Sequence, residues 1–272
     1  MSELYSNTMK VLYIGDVMGD PGIAVVGRTL PRLKDELGID FVIGQAENVS
    51  AGKGMLPEDM TRLREIGIDF FTGGNHTPSR KALYPLLTDE HQPVIGPANL
   101  PSCPGAGWKF WDTSKGRVLI ISLLGSTVGR ELAIDNPLRA IDAILHQLRD
   151  EDRVATVVNF HGDYSSEKVI IGHYLDGRVS LVVGDHWHVP TADADILPKG
   201  TAHQTDVGMC GALDASLGVS FDSVVPRWRD SIQTKNVLEI EGRMQFNALH
   251  VSIDERTGKV QSVQAIRKIY NN

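Results

Sequence analysis

Apolar runs of strand length alternate along this chain with segments whose apolar residues recur at helical spacing. Residues 10–16, KVLYIGD, read as a buried strand. DPGIAVVGRTLPRLKDELG follows as a helix, with Asp20 as N-cap and Pro21 at the first helical position. Val25, Val26, Leu30, Leu33 and Leu37 share one face, and Gly38 ends the helix. Pro31 falls inside this pattern, where proline kinks a helix. The unit then repeats. IDFVIGQAEN and IDFFTGGNH read as strands on either side of the helix PEDMTRLREIG. SRKALYPLL is a short helix, and QPVIGPAN and GRVLIISLLG are strands. NPLRAIDAILHQLRD and SSEKVIIGHYL are helices that alternate with the strands RVATVVNFHG and RVSLVVGDHWH.

Such alternation predicts an α/β fold with crossover connections. After about residue 200 the pattern changes to strands joined by turns, with ERTGK as a hairpin turn, which predicts a mixed or second sheet. No linker, repeat or low-complexity segment interrupts the pattern. The expected organisation is a polar tail over residues 1–9 and one domain over 10–272.

Polar residues fall at the ends of the predicted strands, where open α/β sheets bind their ligands. The first strand ends in Asp16, the second in Glu47 and Asn48, the third in Asn75 and His76. A later one ends in His161, and the next in Asp185, His186 and His188. Taken singly, each has an ordinary explanation as a cap, a turn or a satisfied histidine. His186 and His188 are the hardest to dismiss, because alternate strand residues point the same way. Five strand ends bearing hard oxygens or imidazoles form a ligand set for Mn, Fe or Zn, and the lack of thiolates argues against a structural zinc. His91, His146, His173 and His250 get no role, His203 is left open, and Lys53 is read as a solvated loop lysine.

Composition narrows the function further. The 272 residues are 42% hydrophobic and 22% charged, as in an ordinary globular protein. A net charge of −7 with no basic stripe argues against gripping long nucleic acid, though not against a small phosphate substrate. The two cysteines, Cys103 and Cys210, form no metal or disulfide framework, so a reducing cytosol is the expected compartment. MSELYSNT carries no apolar core of a signal peptide, and no apolar run is long enough to span a bilayer.

The ordered set GDVMGDPG, AENVSAGKG, GGNHT, NFHGDYSSEK, GDHWHVPTAD and LPKGTAHQTDVGMCG resembles the YmdB-like metallophosphoesterases of the calcineurin-like superfamily. The resemblance covers nearly the whole chain. It implies a sandwich of two mixed β-sheets flanked by helices and a site for two divalent metal ions, Mn or Fe. By motif position Asp16, Glu47, Asn48 and His188 would hold one ion. Glu47, Asn75, His161 and His186 would hold the other, with His76 as the catalytic histidine. The implied activity is hydrolysis of small phosphodiesters such as 2′,3′-cyclic nucleotides by metal-activated hydroxide, in a chain that can form homo-oligomers. Phosphomonoesterase or protein phosphatase activity and a non-catalytic metal-binding regulator are the alternatives. The chain departs from the family pattern at Pro78 and Ser79, at Ser126 where the family arginine is absent, and at Asp163. These departures touch substrate contacts and assembly rather than metal ligands.

Overall fold

The computed structural model describes residues 7–129 and 131–271. Its first half runs β1 (Thr8–Ile14), β2 (Asp16–Val17), α1 (Gly19–Leu37), β3 (Phe41–Gln45), α2 (Pro57–Ile66), β4 (Phe70–Thr72), α3 (Tyr84–Thr88), β5 (Trp108–Thr113), β6 (Gly116–Leu124) and α4 (Pro137–Gln147). The rest runs β7 (Ala155–His161), α5 (Ser165–Tyr174), β8 (Leu181–Asp185), β9 (Asp195–Ile196), β10 (Ala202–Gln204), β11 (Met209–Ala212), α6 (Phe221–Asp230), β12 (Met244–Asp254) and β13 (Val260–Tyr270).

One sheet has the order β2-β11-β12-β1-β3-β4, with β13 also paired to β12. Within it β1, β3 and β4 are parallel, and β12 runs antiparallel to β1. The second sheet has the order β5-β6-β7-β8-β10-β9. Its strands β6, β7, β8 and β10 are parallel, and β5 and β9 close the edges antiparallel.

Side-chain alternation along each strand sorts the core into layers. Val11 and Tyr13 of β1 and Ile43 of β3 share an interior cluster with Ile120, Val157 and Val183 of the second sheet. Their neighbours Leu12, Ile14 and Val42 point the other way and pack with Val26, Leu30 and Leu33 of α1 and Leu63 of α2. On the second sheet, Leu119, Ile121, Val158 and Val182 pack with Ile141 and Ile144 of α4 and Ile171 of α5. The layering is helix, sheet, sheet, helix: two mixed sheets flanked by helices, as the sequence implies. Both faces of each central sheet are covered, which is why these strands are near-continuous apolar runs.

The sequence-based expectation needs correction in several places. Residues 8 and 9 belong to β1 rather than a tail: Thr8 and Met9 pair with Asp254 and Ile253, and Met9 is fully buried. Residues 1–6 of the expected tail lie outside the described residues. QPVIGPAN makes only an isolated bridge, Phe71 with Val94, because Pro93 and Pro97 have no N–H to give a ladder. The N-cap of α1 is Met18 rather than Asp20, which sits in the first turn, and the helix continues through Pro31. Gly38 ends it in the left-handed conformation, as expected. The edge strand β5, the two-residue strand β9 and the helix α6 are elements that the apolar patterning does not signal.

Candidate metal centre

The parallel strands deliver their carboxyl ends to one rim of the sandwich, and the ligand-type residues meet there. Asp16, Glu47, Asn48 and His161 are buried, as is His188, while Asn75, His76 and His186 are partly exposed. All eight residues singled out from the sequence are drawn into one continuous cluster.

Glu47 lies at its middle. One carboxylate oxygen, Oε2, accepts the backbone N–H of His76 at 2.8 Å. The other, Oε1, is 3.2 Å from His161 Nε2 and 3.3 Å from Asn48 Nδ2. On one side Asn48 Nδ2 also donates to Asp16, at 3.1 and 3.2 Å, and lies 3.3 Å from His188 Nε2. On the other side His161 Nε2 is 3.0 Å from Asn75 Oδ1, and the His161 and His186 rings meet edge to face with centroids 4.5 Å apart. Glu47, His161 and His186 present ligand atoms within 4.8 Å of one another.

Electrostatics mark this as a place for positive charge. Burial opposes ionisation of Glu47, but His161 and His76 hold its carboxyl well below the usual carboxylate range. Burial likewise opposes protonation of His161, yet Glu47 and Asp185 push that imidazole well above its ordinary value. Burial lifts the Asp16 carboxyl, and Asp16 in turn lifts His188 despite burial. His186 goes the other way: burial and the neighbouring His161 lower it to about 3, which keeps it neutral. The Asn48 amide donor between Asp16 and Glu47, and the His161 ring nitrogen against Glu47, lie where divalent cations would serve the same carboxylates. Carboxylates, imidazoles and neutral amide oxygens are a fitting donor set for such ions.

Gly74 is required by space. A Cβ there would fall 2.3 Å from Glu47 Oε2 and 2.7 Å from the His161 ring.

The two neighbouring histidines do not sit on a strand, as their alternation suggested. β8 stops at Asp185, and His186 and His188 adopt positive φ angles of 103° and 63°. Strained backbone of this kind persists only when its surroundings enforce it. Lys168 of α5 supplies the enforcement. It is fully buried, and its Nζ donates to the Asp185 carbonyl at 2.7 Å and to Asp206 Oδ2 at 2.5 Å. Asp206 Oδ2 also accepts the Trp187 N–H at 2.9 Å, and the Trp187 ring covers the Lys168 ammonium at 4.1 Å. His188 is fixed from behind, its Nδ1 3.2 Å from the Leu217 carbonyl.

Asp185, noted in the sequence but given no role, orients His161 through a 2.6 Å contact with Nδ1. A carboxylate behind a ligating imidazole sets its tautomer and raises its basicity. The signal for Asp185 was its place at a strand end, but Lys168 gave none, since a helical lysine is usually solvated. His203 stays out of the site: it lies on β10, with Nδ1 3.0 Å from the Val182 carbonyl. Of the departures from the family pattern, Pro78 and Ser79 line a cleft of about 490 Å³ with Lys53, Asn75, His76 and Leu132. Ser126 donates through its N–H and hydroxyl to Glu167 at 2.7 Å, and the Asp163 carbonyl accepts from Trp187 Nε1 at 2.8 Å.

Fold and site together define a metallophosphoesterase, a phosphoric ester hydrolase built as a two-sheet sandwich. The chain belongs to the YmdB-like protein family, whose profile matches residues 12–266. It is 34% identical over 259 residues to the 2′,3′-cyclic-nucleotide 2′-phosphodiesterase of Bacillus subtilis, covering 95% of this chain and 96% of that one. A crystal structure of a novel phosphatase from Mycoplasma pneumoniae superposes with a TM-score of 0.91 at 29% identity, covering 98% of this chain and 95% of that one. A hypothetical protein from Thermus thermophilus gives 0.86 at 35% identity, covering 96% and 99%. The 5′-nucleotidase precursor of the same organism shares the fold, with a TM-score of 0.51 at 15% identity over 97% of this chain and 55% of its own.

Gly74→Ala should displace Glu47 or His161 and abolish high-affinity Mn binding in calorimetry, with urea unfolding showing a folded protein; undiminished Mn binding would show that the close approach is dispensable. Lys168→Met should lower the stability of metal-free protein by about 3–5 kcal/mol, because it strands the buried Asp206 charge. A loss below about 1 kcal/mol, the scale of an exposed pair, would contradict the role given to Lys168.

Proposed function

We propose that this chain is a dinuclear-metal-dependent phosphodiesterase acting on small phosphodiesters, 2′,3′-cyclic nucleotides foremost. The observation that carries the reading is the cluster around one shared carboxylate, Glu47, with ligand-type groups on both sides of it. Asp16, Glu47, Asn48 and His188 would hold one ion, and Glu47, Asn75, His161 and His186 the other. Mn or Fe suits a thiolate-free set of this kind. When bound, two such ions neutralise phosphoryl oxygens and bring the ionisation of water near neutral pH.

The chain's own residues account for the rest. The backbone N–H of His76 fixes Glu47, so the shared carboxylate cannot rotate away. The His76 ring is 34% exposed, with Nδ1 2.9 Å from Asn48 Oδ1. Its Nε2 has no partner among the described residues, which leaves it free to deliver a proton to the leaving oxygen. Asn75, and Asn48 with its amide turned to bring Oδ1 rather than Nδ2 toward Asp16 and Glu47, would contribute oxygens without negative charge, so the centre would stay attractive to an anionic ester. The cleft beside His76 gives a nucleoside room next to the reacting phosphorus. The activity named for the Bacillus subtilis relative supports the same substrate class. Among the described residues no helix is long and apolar enough to cross a membrane, and the two cysteines are buried free thiols, which suits a cytosolic enzyme.

The test is turnover of 2′,3′-cyclic AMP by Mn-loaded protein. Asp16→Ala should lose metal and activity together. His76→Ala should keep its metal and lose about 10²–10⁴-fold in kcat, the range for a general acid. Full turnover by His76→Ala would remove its assigned role. Faster hydrolysis of p-nitrophenyl phosphate than of its bis ester would favour a monoesterase.

A further inference from the structure

At the opposite end of the second sheet, three turns meet the first residues of β7 and enclose a pocket of about 210 Å³. Ala155 lines it and His161 ends the same strand six residues on, so the pocket lies roughly 20 Å from the metal centre at ~3.3 Å per residue. Arg153, Arg178, Lys199, Arg256 and Lys259 line it, and no carboxylate does among the described residues. Such a concentration of positive charge stands out in a chain of net charge −7.

The nearby acids offset this charge only in part, and among the described residues none forms an ion pair with Lys199 or Lys259. Glu151 pairs with Arg117 at 3.1 Å and Glu255 with Lys115 at 3.3 Å. Asp176 accepts the backbone N–H groups of Lys199 and Thr201, and Asp254 those of Arg256 and Thr257. Among the described residues, only Arg178 of the five forms an ion pair, with Asp142 at 2.6 Å; Glu151 acts on Arg153, and Asp254 on Arg256, from beyond ion-pair distance. Arg153 donates to neutral acceptors, Thr156 Oγ1 and the carbonyls of Leu148 and Glu151. Arg256 lies against the neutral side-chain amide of Asn7. The ammonium groups of Lys199 and Lys259 have no partner among the described residues. Their stems are laid across glycines: a Cβ on Gly177 would come within 2.8 Å of Lys199 Cβ, and one on Gly200 within 3.1 Å of Lys259 Cδ. Both glycines have positive φ, 79° and 102°, so the turns themselves favour residues without side chains.

Two ammonium groups without an ion-pair partner, beside two arginines whose own donors lie against neutral groups, make a concave pocket that attracts a compact anion. At ~30 Å³ per water, the volume holds several waters, enough for two linked phosphoryl groups. Arginine forks and lysine point charges are the usual donors to such groups. We propose that this pocket binds a small polyphosphate anion, either free pyrophosphate or the diphosphate of a nucleotide, at a site separate from the metal centre. With no carboxylate or imidazole in its described lining to act as a base, the pocket holds its ligand without turning it over.

The experiment is calorimetric titration of inorganic pyrophosphate, and separately of ADP, into full-length protein stripped of metal so that the metal centre does not compete for the anion. Saturable binding to wild type is expected. Lys199→Gln/Lys259→Gln should weaken it at least tenfold, whereas Lys81→Gln/Lys235→Gln, which removes equal charge elsewhere, should change it less than twofold. Tighter binding of ADP than of pyrophosphate would identify the nucleotide as the ligand, and equal binding the diphosphate alone. Absence of binding to wild type at millimolar anion, or an equal loss in both double variants, would overturn the proposal.

Discussion

The carboxylate of Asp185 is the point on which the site and the sandwich both depend. It is fully buried between the sheets. Oδ1 holds His161 at 2.6 Å, while Oδ2 accepts from Gln45 at 2.8 Å, from Tyr13 at 3.3 Å and from Asn159. Tyr13 and Gln45 come from the first sheet, and Asn159, His161 and Asp185 from the second. A buried charge is tolerable only when its acceptor sites are filled, and here they are filled by both layers. Gln45 extends the tie: its Oε1 accepts the N–H of Ala46 at 2.8 Å and of Glu47 at 3.2 Å, fixing the chain as it leaves β3. Thus one carboxylate sets the spacing of the sheets at the rim and the orientation of His161 and Glu47.

Below this polar belt the interior is apolar and ordinary; above it, charge accumulates. Glu47 and Asp16 are held close together without solvent to relieve their repulsion, and imidazoles carry the compensation. Lys168 and Asp206 support the other half of the site by gripping the left-handed turn that carries His186 and His188. Burying that pair and straining that turn fix the positions of the clustered side chains, as at sites whose groups must be held in a set geometry.

Most of the candidate cluster is legible in the sequence because parallel strands end at a common rim, and residues of ligand type stand at five of those ends. Strand alternation does not account for His186 and His188: the backbone leaves the strand at Asp185, and positive φ brings the two rings to the cluster. Lys168 was illegible because its burial depends on a partner 38 residues away. The edge strand β5, whose residues are mostly half-exposed, lacks the apolar run that marked the central strands. Helix α6 escaped notice because Phe221, Val225 and Trp228 sit at helical spacing but face solvent, and Pro226 lies within it. Patterning reports which residues a core demands; it says little about elements whose apolar side is turned outward.

The most direct test of a two-metal centre is crystallographic. Data collected on Mn-loaded crystals at the Mn absorption edge should show two anomalous peaks on either side of Glu47, about 3.5–4 Å apart. One peak should lie beside Asp16, Asn48 and His188 and the other beside Asn75, His161 and His186. A single peak, or peaks that leave Glu47 outside the coordination of either ion, would contradict the account.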